Sequence, residues 1–213
     1  MNRTTFLVDG FNLYHSLIQA NRDSSGSTTK WLDIGALCVS YLPIVGEKSG
    51  QKAALESIYY FSAPPTHRSM DKQKKHALYL SCLKATGIIV RLGRFKKKDV
   101  WCKNCKTRFK AHEEKETDVA IAVKLLEICH LNHCHSVVLV TGDTDLAPAV
   151  LTAQRLFPNI NILLAFPYQR TNAELAKIAT ESFSIKLKSC LRNQFPDPLV
   201  IDGGKIFNKP TSW

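Results

Sequence analysis

No stretch of this sequence approaches the roughly 18 consecutive apolar residues of a membrane span. Its first residues carry no basic segment followed by a long apolar run. The chain therefore reads as cytosolic, with no membrane partner. Also missing is a Gly-rich phosphate loop ending in Lys-Ser or Lys-Thr, which argues against a nucleotide-hydrolysing motor. No internal repeat and no low-complexity segment interrupts it. Cysteines number seven, an odd count spread over apparent helices as well as loops, unlike a secreted disulfide framework. Most are expected to be reduced.

What is present suits one well-buried domain with room for an insertion: 213 residues, 45% of them apolar. The net charge of +11 favours a polyanionic partner where the cations cluster, and mere solubility where they do not.

The most informative stretch is Val137 to Val150. Its β-branched start reads as a strand buried on both faces, and Gly142 reads as the tight turn out of the sheet. Two acids follow, Asp143 and Asp145, and then a helix over Leu146 to Gln154 that tolerates Pro148 in its first turn. Ligands of open α/β sheets gather beyond the carboxyl ends of strands, so these acids point to chemistry. Either of them also suits a helix cap. Thr5 to Asp9 repeats the logic: a short strand ending on an acid, then Gly10 and a helix over Asn12 to Ala20.

Between these lie loop-like residues 21 to 30, a helical pattern over Trp31 to Tyr41, a polar loop over Pro43 to Gln51 and a strand over Ser57 to Ser62. A helix over Met70 to Thr86, stopped by Gly87, and a strand over Ile88 to Leu92 come next. Gly93 to Lys115 is polar and irregular, and precedes an amphipathic helix over Thr117 to His130. Asn161 to Phe166 reads as a strand, Asn172 to Glu181 as a helix and Phe183 to Leu187 as an edge strand. Strands alternating with helices at this spacing predict an α/β fold, Rossmann-like, with a mainly parallel sheet and helices on both faces. Residues 191–213, with Pro196, Pro198 and Pro210 among apolar residues, predict an extended tail packed on a domain of residues 1–190.

On the helix from Thr117, Asp118 shares a stripe with Ile121, Ala122, Leu125 and Cys129. It points inward and needs a cation, a donor network or a cleft. Glu114 reaches the same region if the helix starts there, while Glu116 suits the helix N-terminus. If the two acid-tipped strands are neighbours, Asp9, Asp143 and Asp145 converge with Asp118. Carboxylates so placed call for Mg²⁺ or Mn²⁺, since oxygen ligands without His or Cys favour a hard cation. Such ions activate water and steady a phosphate under attack.

These motifs resemble those of the NYN domain, of the LabA-like branch within the PIN-like nuclease superfamily: Val8-Asp9-Gly10-Phe11-Asn12, Glu114-Lys115-x-x-Asp118-Val119, and Thr141-Gly142-Asp143-x-Asp145. The likeness spans residues 1 to 190. It implies a Rossmann-like sheet and metal-dependent RNA cleavage, with Asp9, Asp118, Asp143 and Asp145 as the acidic metal site and Asn12 and Thr141 in support.

From Arg91 to Lys115 there are ten Lys or Arg against three acids, with Phe95, Trp101 and Phe109 among them. Cations interleaved with aromatics suit single-stranded nucleic acid, and make Arg94, Lys96, Lys97, Lys98, Trp101, Lys103, Arg108 and Lys110 the candidate RNA contacts. The alternative is a solvated lysine loop. Cys102 and Cys105 have zinc-knuckle spacing, yet one pair is half of a tetrahedral Zn²⁺ site. His112 is a candidate third ligand, and His67, Cys82, His133, Cys134 or a second subunit of a homo-oligomer a candidate fourth. Free thiols and a redox disulfide are the other readings.

The expectation is thus a PIN-like endoribonuclease using Mg²⁺ or Mn²⁺ on RNA, single-stranded for preference and with DNA left open. A nonenzymatic RNA-binding module of the same fold is the second reading. A haloacid-dehalogenase-like phosphatase is disfavoured, because Asp9-Gly10-Phe11 lacks the second Asp of its nucleophile pair.

Overall fold

A computed structural model describes residues 1–102 and 104–213. The chain forms β1 (Asn2–Asp9), α1 (Gly10–Asp23), α2 (Ile34–Ser49), β2 (Ala53–Ser62), α3 (Met70–Ala85) and β3 (Ile89–Leu92). An antiparallel hairpin follows, β4 (Arg94–Trp101) and β5 (Arg108–Lys115), then α4 (Thr117–His130) and β6 (Ser136–Val140). A single 3₁₀ turn, Thr144–Leu146, leads into α5 (Ala147–Leu156), β7 (Asn161–Phe166), α6 (Ala173–Ile178) and β8 (Glu181–Ser184). The chain ends in α7 (Leu187–Arg192) and a small hairpin of β9 (Leu199–Ile201) and β10 (Lys205–Phe207).

Six parallel strands form the central sheet in the order β3-β2-β1-β6-β7-β8. Counted within the sheet this is the doubly wound 3-2-1-4-5-6 order, whose reversal falls between β1 and β6. Alternation along each strand sends side chains to two cores. Phe6 and Val8 join Leu13, Leu17, Leu37, Tyr41 and Leu83 on the face of α1, α2, α3 and α7. Leu7 joins Ile121, Leu125, Val150 and Leu175 on the face of α4, α5 and α6. Parallel strands covered on both sides are uniformly apolar, which is why β6 and β7 are buried almost throughout. Cutting Phe6 back to Ala would cost about 3–5 kcal/mol.

Two local expectations are corrected. Residues 43–49 are not a loop: α2 runs through Pro43 to Ser49, and the helix begins at Ile34, not at Trp31. Asp33 caps it by accepting the Ala36 amide, and the buried stripe Ile34, Leu37, Cys38, Tyr41 and Val45 continues across the proline. Burial of that stripe outweighs the roughly 3 kcal/mol that an interior proline costs. Residues 94–101 and 108–115 are not irregular either, since eight residue pairs join β4 to β5. α7, on which the sequence pattern gave no expectation, follows an edge strand that ends at Ser184. The last residues pack back on the body. Trp31 donates from Nε1 to Pro196 O at 3.1 Å, and the Trp213 ring lies 6.0 Å from that of Trp31.

Candidate metal centre

At the carboxyl edge of the sheet, β1 and β6 end side by side and deliver acids to one place. Asp9 closes β1 and caps α1: its Oδ1 accepts the Asn12 amide at 3.0 Å, and its Oδ2 accepts the Thr141 hydroxyl at 2.9 Å. Thr141 Oγ1 in turn accepts the Asp143 amide at 3.1 Å. Asp118 enters from the first turn of α4. One carboxylate oxygen from each of Asp9, Asp118 and Asp143 lies within 4.8 Å of the other two.

The glycines of both motifs are explained by close approach, not by turn geometry. A Cβ on Gly10 would stand 2.4 Å from Phe61 O, and one on Gly142 would stand 2.3 Å from Arg170 O. Gly142 has no left-handed φ, so the expected tight turn is instead a tight packing contact. Asn12 completes the clamp, its Oδ1 accepting the Gly142 amide at 3.1 Å.

Electrostatics set these acids apart. Asp9 is 4% exposed, and burial pushes its carboxyl up from 3.8 to about 6 against the two hydrogen bonds it accepts, with Asp118 and Asp143 adding to the rise. Burial likewise raises Asp118, helped by the charges of Asp143 and Asp145. Glu114, on β5 instead of on the helix, is pushed by burial up to about 7, with Asp9 and Asp118 contributing. Its Oε1 is buried without a hydrogen-bond partner. Among the described residues no Lys or Arg forms an ion pair with Asp9, Glu114, Asp118 or Asp143. One buried and several half-buried carboxylates, mutually repelling, with spare lone pairs and no ion-paired cation, suit a hard divalent cation, so the donor set fits one. Asp145 stands apart. It is exposed, lies outside the trio of converging oxygens, and donates its amide to Asp143 Oδ1 at 3.1 Å.

The basic hairpin is anchored beside this pit. The Phe95 ring sits 5.5 Å from that of Phe11, edge to face, and 4.4 Å from the ring of His67. Strand alternation puts Lys97, Asp99, Trp101, Arg108 and Lys110 on the face shared by Phe95 and Glu114. Arg94, Lys96 and Lys98 fall on the other face, where Arg94 pairs with Glu116 at 2.7 Å and Lys98 with Glu113 at 3.1 Å. Glu116 therefore pairs with an arginine and makes no side-chain cap for α4. Lys103 lies outside the described residues.

At the hairpin tip Cys102 and Cys105 are both free, and Cys105 Sγ is 2.8 Å from Thr107 Oγ1. That contact, with Cys102 nearby, lowers the Cys105 thiol. The further zinc ligands expected from the sequence are elsewhere. His112 pairs with Lys97 in mid-strand, about 13 Å along β5 from Arg108, and stacks on His67 at 4.5 Å. Cys82 and Cys134 are buried in the two separate cores, and His133 is exposed beyond α4. Among the described residues, only the acidic trio gathers three possible ligands this closely.

A doubly wound sheet whose switch point carries clustered carboxylates is the arrangement expected of a PIN-like nuclease-type domain, and the family comparison supplies that class. The chain belongs to the NYN domain family, whose model matches residues 3–186. It is 28% identical to 6-hydroxy-3-succinoylpyridine 3-monooxygenase of Pseudomonas putida over 99% of this chain and 75% of that protein. Its fold matches the crystal structure of a protein of unknown function from Vibrio parahaemolyticus with a TM-score of 0.56 and 19% identity, covering 87% of this chain and 93% of the other. No helix among the described residues is long and apolar enough to cross a membrane.

Proposed function

We propose that this chain is a metal-dependent endoribonuclease of the LabA-like branch, acting on single-stranded RNA in the cytoplasm. The observation that carries the reading is the trio Asp9, Asp118 and Asp143: three carboxylates from three separate elements, without an ion-paired Lys or Arg among the described residues, in a chain of net charge +11. Mg²⁺ or Mn²⁺ held there would supply an activated water and charge neutralisation at the phosphate. Asn12 and Thr141 hold the ligands in register, and Asp145 fixes Asp143 through its amide. Glu114, half-buried beside Asp9 and Asp118 with a free Oε1, accepts the proton lost by the attacking nucleophile. Lys97, Trp101, Arg108 and Lys110 guide the strand toward the pit. Residues 1–190 form the nuclease domain, with 93–115 as its substrate arm and 191–213 as a packed tail.

Cleavage of labelled single-stranded RNA with Mn²⁺, Mg²⁺ or EDTA, for wild type beside Asp143→Asn, tests this reading. Metal-dependent cutting that falls by at least about 100-fold in the variant is expected. Binding without cutting in both proteins would replace the enzyme with a nonenzymatic RNA-binding module of the same fold. The Pseudomonas relative's name prompts a different reading, oxidation of a small heteroaromatic acid. Oxygen consumption with 6-hydroxy-3-succinoylpyridine and an added two-electron reductant, together with no RNA cleavage, would favour it.

A further inference from the structure

Beside the acidic site a cavity of about 550 Å³ opens between α1 and the 168–172 loop. Asn12 and Gly142 line it, and the same two residues are joined by the hydrogen bond that clamps the acidic centre. Arg22, Arg170 and His15 contribute the charged and titratable groups of the wall, and no Asp or Glu is among its lining residues. Neither arginine forms an ion pair among the described residues. In a chain with 18 acids, two exposed arginines that form no ion pair among the described residues and line a cleft with no Asp or Glu in its wall make a place for an anion. The cleft is also larger than a phosphate needs and falls in the range of small-ligand sites. Tyr168 adds an aromatic ring, and the ends of the amides not engaged within the protein, Gln19 Oε1, Gln169 Oε1 and Asn172 Nδ2, add two acceptors and a donor, the groups that recognise a base.

The wall is held in place. Ser16 donates its hydroxyl to Tyr168 O at 2.9 Å, and Gln169 Nε2 donates to Asp23 Oδ2 at 3.1 Å. Arg170 O presses on Gly142, directly before Asp143, so the cleft and the acids share one rigid frame.

We propose that this cleft is a nucleotide subsite, which seats the phosphate and base of the residue adjoining the scissile bond. It rests on the nuclease reading for its place in the reaction, but its binding is measurable without cleavage. The probe is AMP, added to wild-type protein in EDTA and followed by backbone amide NMR. Binding with shifts centred on Gln19, Arg22 and residues 168–172 is expected, and Arg22→Gln and Arg170→Gln should each weaken it about 5- to 10-fold. Mn²⁺ affinity at the acids should be unchanged in both variants, which separates loss of the subsite from loss of the fold. No binding at millimolar AMP, shifts confined to the hairpin, or affinity indifferent to both substitutions would overturn the subsite. Equal binding of inorganic phosphate would overturn its assignment to a nucleotide. AMP bound here by a protein that cuts no RNA would keep the subsite and sink the nuclease. Cleavage by a protein whose cleft ignores AMP would do the reverse.

Discussion

The pit and the hairpin beside it are held by opposite kinds of contact. Asp9, Asp118 and Asp143 are separated by up to 134 residues in sequence and meet only because the sheet places β1 beside β6. The bonds from Gly142 to Asn12 and from Thr141 to Asp9 cross from one element to another, and Asp9 and Asp143 each cap the turn that follows. The hairpin is joined residue by residue to its own neighbour strand, and most of its side chains are exposed. Charge in the pit is therefore expensive and rigid, whereas charge on the hairpin is cheap, screened and additive. Mutations should separate the two accordingly.

The largest effect after loss of Asp143 itself is expected at Asp9. Its carboxyl is raised by burial to about 6, so without metal its ionisation opposes folding. The opposition is absent below 3.8, where folded and unfolded chains are both protonated, and complete above about 6. Asp9→Asn should therefore stabilise the metal-free protein by about 1–3 kcal/mol at pH 7.5, and by nothing at pH 3.5. Urea unfolding in EDTA at the two pH values checks this. The same variant should lose the stabilisation that Mn²⁺ gives wild type, about 2.7 kcal/mol at a hundredfold excess over Kd. Stabilisation by Mn²⁺ that survives the substitution would place the cation elsewhere.

Thr141→Val comes next. It removes a buried donor to Asp9 and the acceptor of the Asp143 amide, at a cost of about 1–3 kcal/mol. Because the hydroxyl lowers the Asp9 pKa, the pH at which Mn²⁺ binding develops should move upward in the variant, which titration calorimetry across pH 5–8 would follow.

On the hairpin the two faces can be set against each other. Neutralising Lys97, Arg108 and Lys110 together should reduce the salt slope of RNA binding by about 2. Neutralising Arg94, Lys96 and Lys98 should reduce it by under about 1, since two of those charges already face glutamates. Equal slopes would mean that RNA wraps both faces. The smallest effect belongs to the tip: Cys102→Ser with Cys105→Ser should shift stability by less than about 0.5 kcal/mol and leave Mn²⁺ binding intact. Zinc content of protein purified without chelator, compared between wild type and that variant, decides whether the pair holds metal. Equal content would reject a zinc site.

Much of the pit was legible because its signals are local: an apolar run that stops at an acid marks a strand end in any sequence. Asp9 and Asp143 meet the expected neighbours, and their simpler reading as caps is also true, since one carboxylate oxygen does each job. Asp145 could not be told from Asp143 by spacing, because which acid turns inward depends on the 3₁₀ turn between them. Glu114 does not sit in an early start of α4: β5 runs to Lys115 and the helix begins at Thr117. The hairpin itself was hidden by composition. Lysine-rich strands lack the apolar alternation that betrays a half-buried sheet, and cross-strand charge pairs substitute for it. α2 was cut short at Pro43 because local propensity cannot see the core that holds it together.

One feature of the hairpin reaches beyond this molecule's chemistry. Arg94 and Lys115 are paired neighbours, so the arm leaves the body and returns to it at a single point. Such an appendage can be lengthened, trimmed or exchanged by recombination while the sheet and its acids stay where they are. Grafting a foreign arm between positions 96 and 113 is thus a route to retargeting, and Glu114 would remain on the body side of the junction.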